Sequence, residues 1–138
     1  MTNHITGQLD NLSLDIRFVK AVSLFNTKMW YEAHDLFEEI WFETIGPERK
    51  TIQGLLQIAV AQLHIEKGNL NGATILYGEA IGRLRSSLGY NLGIDINKIC
   101  DTSEYILLNL QAGINIKKLN IPIIEYLKID STCSINNE

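Results

Sequence analysis

The sequence has little cysteine and little proline, with two of each in 138 residues. Cys100 and Cys133 lack the spacing of a metal-binding motif, and two cysteines are too few for a disulfide framework. No stretch approaches the roughly 20 apolar residues that a membrane-spanning helix needs. The opening residues "MTNHITGQLDN" lack the charged-then-apolar pattern of a signal peptide. These absences predict a cytoplasmic protein with no membrane partner.

Concentrated positive charge is also missing. The net charge is −4, and the longest basic runs are pairs such as Arg49-Lys50. Proteins that bind the phosphate backbone of nucleic acids usually carry a concentrated basic face, so no nucleic-acid partner is expected. No Ser/His/Asp order and no phosphate-binding loop is found. No enzyme reaction can therefore be assigned from a motif.

The composition is that of an ordinary globular protein, with 46% apolar and 20% charged residues. Helical periodicity and glycine breakers predict five helices, at roughly 14–26, 29–44, 49–66, 71–88 and from near 101 to 112. Asn11 or Ser13 is the predicted cap of the first helix. The predicted caps of the fifth are Asp101, Thr102 or Ser103. Residues 1–12 are expected to be a flexible leader, 13–128 a single helical domain and 129–138 a disordered tail.

A weak internal repeat supports a helical fold. A shift of 40 residues aligns Trp30 with Leu70, Ala33 with Ala73, Leu36 with Leu76, Phe37 with Tyr77 and Glu39 with Glu79. Both copies look like the first helix of a helical hairpin, but two copies are too few for a solenoid. The predicted fold is therefore all-α, a compact bundle of about five helices built from antiparallel hairpins.

The stretch "YEAHDLFEEIW" of the second predicted helix combines a histidine, acids and a tryptophan. At about 100° per residue, three acids fall outside the apolar arc and are expected to be solvated: Glu32, Asp35 and Glu39. His34 and Glu38 lie at the edge of that arc, beside Trp41. Since they are four residues apart, their side chains can meet, and Glu38 is expected to lean toward the interior.

The third predicted helix is apolar nearly all round, yet Gln53, Gln57 and His64 fall within an arc of roughly 40°. An unpaired buried polar group costs about 1–3 kcal/mol, so this line needs polar partners. A short turn makes the second and third helices antiparallel neighbours, and the edge formed by His34 and Glu38 is the expected partner. The glycine after the first of these glutamines is expected to permit close packing of a neighbouring helix.

The segments "FNTKMWYEAHDLFEEIW", "IQGLLQIAVAQLHIEKGN" and the following "GA" resemble the domain of unknown function 309 family. The matching positions are Phe25, Asn26, Glu32, Ala33, His34, Glu38, Trp41, Gln53, Gly54, Leu55, Gln57, His64, Gly68, Asn69, Gly72 and Ala73. Asp35 and Leu56 depart from the family pattern. The resemblance implies a small all-α protein of bacteria or plastids, which adds the plastid stroma as an alternative location. It implies no established activity.

Three hypotheses remain for the polar residues. In the first they form a buried hydrogen-bond network, and in the second they line a site for a peptide, a small molecule or a second copy of the chain. The third hypothesis is a metal-dependent hydrolase in which His34, Glu38 and His64 hold zinc or iron and Glu38 serves as ligand or base. The candidate residues are Glu32, His34, Glu38, Trp41, Gln53, Gln57 and His64.

Overall fold

A computed structural model describes residues 15–114 and 121–128. Its helices are α1 Ile16–Asn26, α2 Trp30–Glu43, α3 Glu48–Glu66, α4 Leu70–Arg85 and α5 Ile96–Gln111, with a 3-10 turn at Leu88–Tyr90. Each helix packs against the next one in the chain. The described residues contain no strand, and their one isolated bridge joins Ile94 to Tyr126. The all-α prediction is confirmed, while the predicted leader and tail lie outside the described residues.

The predicted start of the fifth helix was wrong. Helix α5 begins at Ile96, and the Asp95 carboxylate caps it by accepting a hydrogen bond from the Lys98 amide at 3.1 Å. The predicted caps lie inside the helix: Asp101, Thr102 and Ser103. The apolar spacing extends one turn further back than expected, since Ile96 and Ile99 are both buried against the core. Residues 96–100, which lie between the fourth and fifth predicted helices, therefore form the start of α5.

The residue that caps α1 is Asp15, whereas the predicted caps Asn11 and Ser13 lie outside the described residues. The Asp15 carboxylate accepts a hydrogen bond from the Arg17 amide at 2.8 Å, and the Arg17 guanidinium lies 3.0 Å from the same carboxylate. Hydrogen bonding by the Arg17 side chain, followed by that of its amide, lowers the pKa of Asp15. A carboxylate held in this way stabilises α1 in its charged form.

Replacing Asp15 by alanine is expected to lower the free energy of unfolding at pH 7 by about 1 kcal/mol. Because the folded-state pKa is lowered, the carboxylate stabilises the fold above its ordinary pKa of about 3.9, and that contribution is lost as the pH falls through the folded-state value. The difference in the free energy of unfolding between the parent and Asp15→Ala should thus be constant near neutral pH and should shrink below about pH 4. Urea unfolding across this range measures it.

The control is Asp15→Asn, which keeps a capping oxygen but does not titrate. At pH 7 it should be less stable than the parent, because the neutral amide cannot form the ion pair with Arg17, and this difference should vanish as Asp15 is protonated at low pH. A stability gap for Asp15→Ala that stays the same down to pH 3 would show that the carboxylate charge is not what stabilises the helix.

Helix α3 is the central helix and touches both α2 and α4. Where it meets α4, a Cβ atom added to Gly54 would lie 2.7 Å from Cγ of Leu84 and 3.4 Å from the carbonyl oxygen of Ala80. The close packing expected at this glycine is confirmed. Further along the same interface, the Tyr77 hydroxyl donates to Oε1 of Gln62 at 2.6 Å. Burial raises the pKa of Tyr77, so the phenol remains a donor.

Residues 121–128 form an extended segment against the bundle, here called the strap. Asn26, the last residue of α1, accepts a hydrogen bond from the Ile124 amide at 2.8 Å and donates to the Ile124 carbonyl at 2.9 Å. The side chain of Ile124 is buried in the core. Among the described residues, no helix has the length and apolar character needed to cross a membrane.

Candidate ligand-binding pocket

A small pocket of about 260 Å³ lies among α2, α3 and α4. The lining residues are Glu38, Trp41, Gln53, Leu56, Gln57, Val60 and Leu76. The four that α3 contributes recur at intervals of three, four and seven residues, which places them on one helix face. Four of the seven candidate residues from the sequence meet here: Glu38, Trp41, Gln53 and Gln57.

On one side of the pocket, the side chain of Gln57 on α3 forms hydrogen bonds with two residues of α4. The Gln57 amide donates from Nε2 to the Glu79 carboxylate at 2.9 Å, and its Oε1 accepts from Arg83 at 3.3 Å. Glu79 and Arg83 are four residues apart and form an ion pair of 3.5 Å. The partners of Gln57 thus lie on α4 and not on the expected edge of α2. The spacing of four residues between Glu79 and Arg83 was a sequence signal for this network. That signal was not used in the prediction from the sequence.

Glu38 lies at the rim of the pocket with its side chain 58% exposed, so the expectation that it leans toward the interior was wrong. Its Oε2 atom is 3.4 Å from Nε2 of His34, and the other ring nitrogen is 3.3 Å from the Asp35 carboxylate. That second contact lacks hydrogen-bond geometry, since Nδ1 of His34 is buried without a partner among the described residues. The rim therefore carries an accessible negative charge.

Trp41 forms an apolar wall of the pocket and is fixed from one side by Arg49. The Arg49 Cζ atom lies 3.9 Å from the indole centroid, and Nε donates to the Trp41 carbonyl at 3.3 Å. An arginine stacked on tryptophan in this way is a cation–π contact. The indole Nε1–H is buried and has no acceptor among the described residues.

The other three candidate residues do not line the pocket. Glu32 is exposed on α2. His34 contacts the rim of the pocket through the Glu38 carboxylate. His64, near the end of α3, places Nδ1 3.1 Å from Nδ2 of Asn69. The side-chain oxygen Oδ1 of Asn69 in turn caps α4 by accepting from the Gly72 amide at 3.0 Å. The role of His64 that the contacts show is to support this turn between α3 and α4.

The geometry gives no support to the metal-dependent hydrolase. Across residues 15–114 and 121–128, no group of three or more His, Cys, Asp or Glu side chains could hold a metal ion. His34, Glu38 and His64 are not assembled as a zinc or iron site there. Cys100 is fully buried in the core, and this burial raises the pKa of its thiol to about 11, which disfavours the reactive thiolate.

Comparison with known proteins agrees with the resemblance in the sequence. Residues 18–76 match the family model "Domain of unknown function (DUF309)", and this segment includes every residue that lines the pocket. The chain is similar to the uncharacterized protein YpuF of Bacillus subtilis (strain 168), with 26% identity over 117 residues, 83% of this chain and 67% of that protein. No solved structure shows a significant match. Over residues 18–76, less than half of its length, the chain is therefore similar to the DUF309 family.

Proposed function

We propose that this protein is a binding module whose pocket receives one positively charged, amphipathic side chain, a lysine or an arginine, from a partner peptide. The observation that carries the proposal is the combination of an apolar pocket with the exposed Glu38 carboxylate at its rim. The long aliphatic stem of such a side chain packs on apolar surface while its charged end stays near water.

The size of the pocket favours a single side chain. Sites for drug-sized ligands and cofactors measure about 300–1,000 Å³, and this pocket measures about 260 Å³. Leu56, Val60 and Leu76 supply the apolar lining for an aliphatic stem.

The charges around the pocket favour a cation. Arg83 and Gln57 already bond to each other and to Glu79, and Arg49 covers one face of the indole of Trp41. The Glu38 carboxylate contacts Nε2 of His34 at 3.4 Å but is 58% exposed, so it is accessible to an ammonium or guanidinium group as the acceptor of a charge-assisted hydrogen bond. An anionic ligand would be repelled by the same carboxylate.

The surface beside the rim favours a peptide over a free amine. Tyr31, Glu38 and Phe42 follow one another on α2 at intervals of seven and four residues, so they share one face of the helix. Tyr31 is 60% and Phe42 80% exposed. Exposed apolar side chains next to a polar rim are typical of protein interaction surfaces. A bound peptide would cover these rings on either side of the inserted side chain.

A titration with three probes of similar size and different charge tests the proposal: hexylammonium, hexanol and hexanoate. We expect a Kd of about 1 mM for hexylammonium, as a ligand of so few atoms allows, and binding about tenfold weaker for hexanoate, which Glu38 repels. The indole Nε1–H signals of the two tryptophans in an NMR spectrum report the site, with Trp41 shifting and the buried Trp30 remaining in place.

Glu38→Gln is expected to remove the preference for hexylammonium over hexanol. The matched control is Glu32→Gln, which deletes an exposed acid of the same helix that does not line the pocket. Equal affinity of the parent for all three probes would refute the proposal. The same conclusion would follow if a Val60→Trp variant, in which the new ring occupies the pocket, still bound hexylammonium as the parent does.

A further inference from the structure

We infer that the groove occupied by the strap is a receptor for an extended peptide chain, and that the strap of a second copy of this protein can occupy it. The groove shares no lining residue with the pocket and does not depend on the proposed function. It is formed by the end of α1 and by the loop that precedes α5.

The Asn26 side chain recognises backbone rather than a particular side chain. Its carboxamide accepts from the Ile124 amide and donates to the Ile124 carbonyl, at 2.8 and 2.9 Å. This is the pair of hydrogen bonds that a neighbouring β-strand would supply. Asn26 is half-buried, so without an extended chain its donor and acceptor would lose both partners at some cost in free energy.

The loop before α5 continues the same recognition. The Asp95 amide donates to the Glu125 carbonyl at 2.7 Å, and the Gly93 carbonyl accepts from the Leu127 amide at 2.8 Å. Three positions of the strap therefore bond to the bundle through their main chain: Ile124, Glu125 and Leu127. This is the mode of binding in which a peptide adds a strand to a receptor.

Side chains of the strap add selectivity. Pro122 and Ile124 point inward and are buried, whereas Ile123 between them is 48% exposed. The carboxylate of Glu125 forms an ion pair of 2.6 Å with Lys98. The groove thus selects a proline, an aliphatic residue two positions later, and an acid directly after it.

Exchange between copies follows from this construction. The receptor residues and the strap come from distant parts of the sequence, with Asn26 and Ile124 separated by 98 positions. A second copy offers an identical strap and can make the same hydrogen bonds at little extra cost. The internal strap competes at a high effective concentration, which keeps the separate copies closed when the protein is dilute.

Two variants of the 138-residue chain test this exchange: one disrupts the strap and the other disrupts the groove that receives it. Ile124→Asp places a charge where a 2% exposed side chain lies, so this chain keeps its receptor and loses its own strap. Asn26→Ala weakens the receptor and keeps the strap. Each variant alone should be monomeric, whereas an equimolar mixture should form a 1:1 heterodimer, measured by light scattering after size-exclusion chromatography.

A labelled peptide of residues 121–128 tests the receptor directly. It should bind the Ile124→Asp chain about tenfold or more tightly than the parent, in which the internal strap competes. The control is Ile123→Asp, whose altered side chain faces outward and should leave the parent's weak binding unchanged. Far-UV circular dichroism establishes that each variant is folded.

The results decide between the two parts of the inference. A folded Ile124→Asp chain that does not bind the peptide overturns the receptor. Peptide binding without a heterodimer in the mixture overturns the second copy as the occupant. Heterodimer formation that disappears when Asn26→Ala is introduced into both chains supports both parts.

Discussion

Replacing Gly54 by valine is expected to lower the free energy of unfolding by about 3 kcal/mol, at the upper end of the usual effect of overpacking. A Cβ atom here would lie 2.7 and 2.8 Å from two carbons of Leu84, which is itself fully buried and cannot move into solvent. Valine adds two further methyl groups at the same point. Helices α3 and α4 would have to separate, although valine has a higher helix propensity than glycine.

Urea unfolding of Gly54→Val and Gly78→Ala separates packing from helix propensity. Gly78 lies on exposed α4 surface with nothing within 4 Å of an added Cβ, so alanine there should stabilise the protein by about 1 kcal/mol. Adding Leu84→Ala to Gly54→Val should be less harmful than the sum of the single changes, because it removes the contacted carbons. Strict additivity would mean that Leu84 is not the obstacle.

Replacing Tyr77 by phenylalanine is expected to lower the free energy of unfolding by about 2 kcal/mol. The only change in the folded state is the loss of a hydroxyl that donates to Gln62 at 2.6 Å. Gln62 is 9% exposed, so its carbonyl oxygen would be left with little access to water. The cost arises from this stranded acceptor more than from the hydrogen bond itself.

A double-mutant cycle with Gln62→Leu tests that explanation by thermal and urea unfolding. Removing both polar partners should restore most of the stability that Tyr77→Phe loses, since no buried acceptor remains. The matched control is Tyr105→Phe on α5, where the ring is 50% exposed and the change should stay within about 0.5 kcal/mol. If the double variant is less stable than either single one, the pair contributes through packing instead.

The sequence predicted α1 to α4 well because α1, α2 and α4 show apolar periodicity, α3 is a long apolar run, and α2, α3 and α4 each end near a glycine. The loops after α3 and α5 turn at Gly68 and Gly113, both with positive φ, where residues other than glycine are strained. The start of α5 was missed because Asp101, Thr102 and Ser103 all resemble caps, while Asp95 stands in a segment that reads as a turn. Local capping chemistry identifies candidates, and packing selects among them.

The candidate site was only partly predictable. Periodicity placed Gln53 and Gln57 on one face of α3, but α3 packs against two helices, and periodicity does not say which of them supplies the partners. For Gln57 the partners are Glu79 and Arg83 of α4. The pairing of Asn26 with the strap had no sequence signal, because it joins a side chain to main-chain atoms 98 positions away.

Because of this long separation, the contacts between neighbouring helices and the contact between Asn26 and the strap form in a fixed order during synthesis. Helices that pack on their neighbours in sequence can assemble soon after they leave the ribosome, whereas residues 121–128 emerge after all of them. Until then the nascent bundle presents a carboxamide with no chain to pair with. The hydrogen bonds between Asn26 and the strap therefore form after the contacts between neighbouring helices.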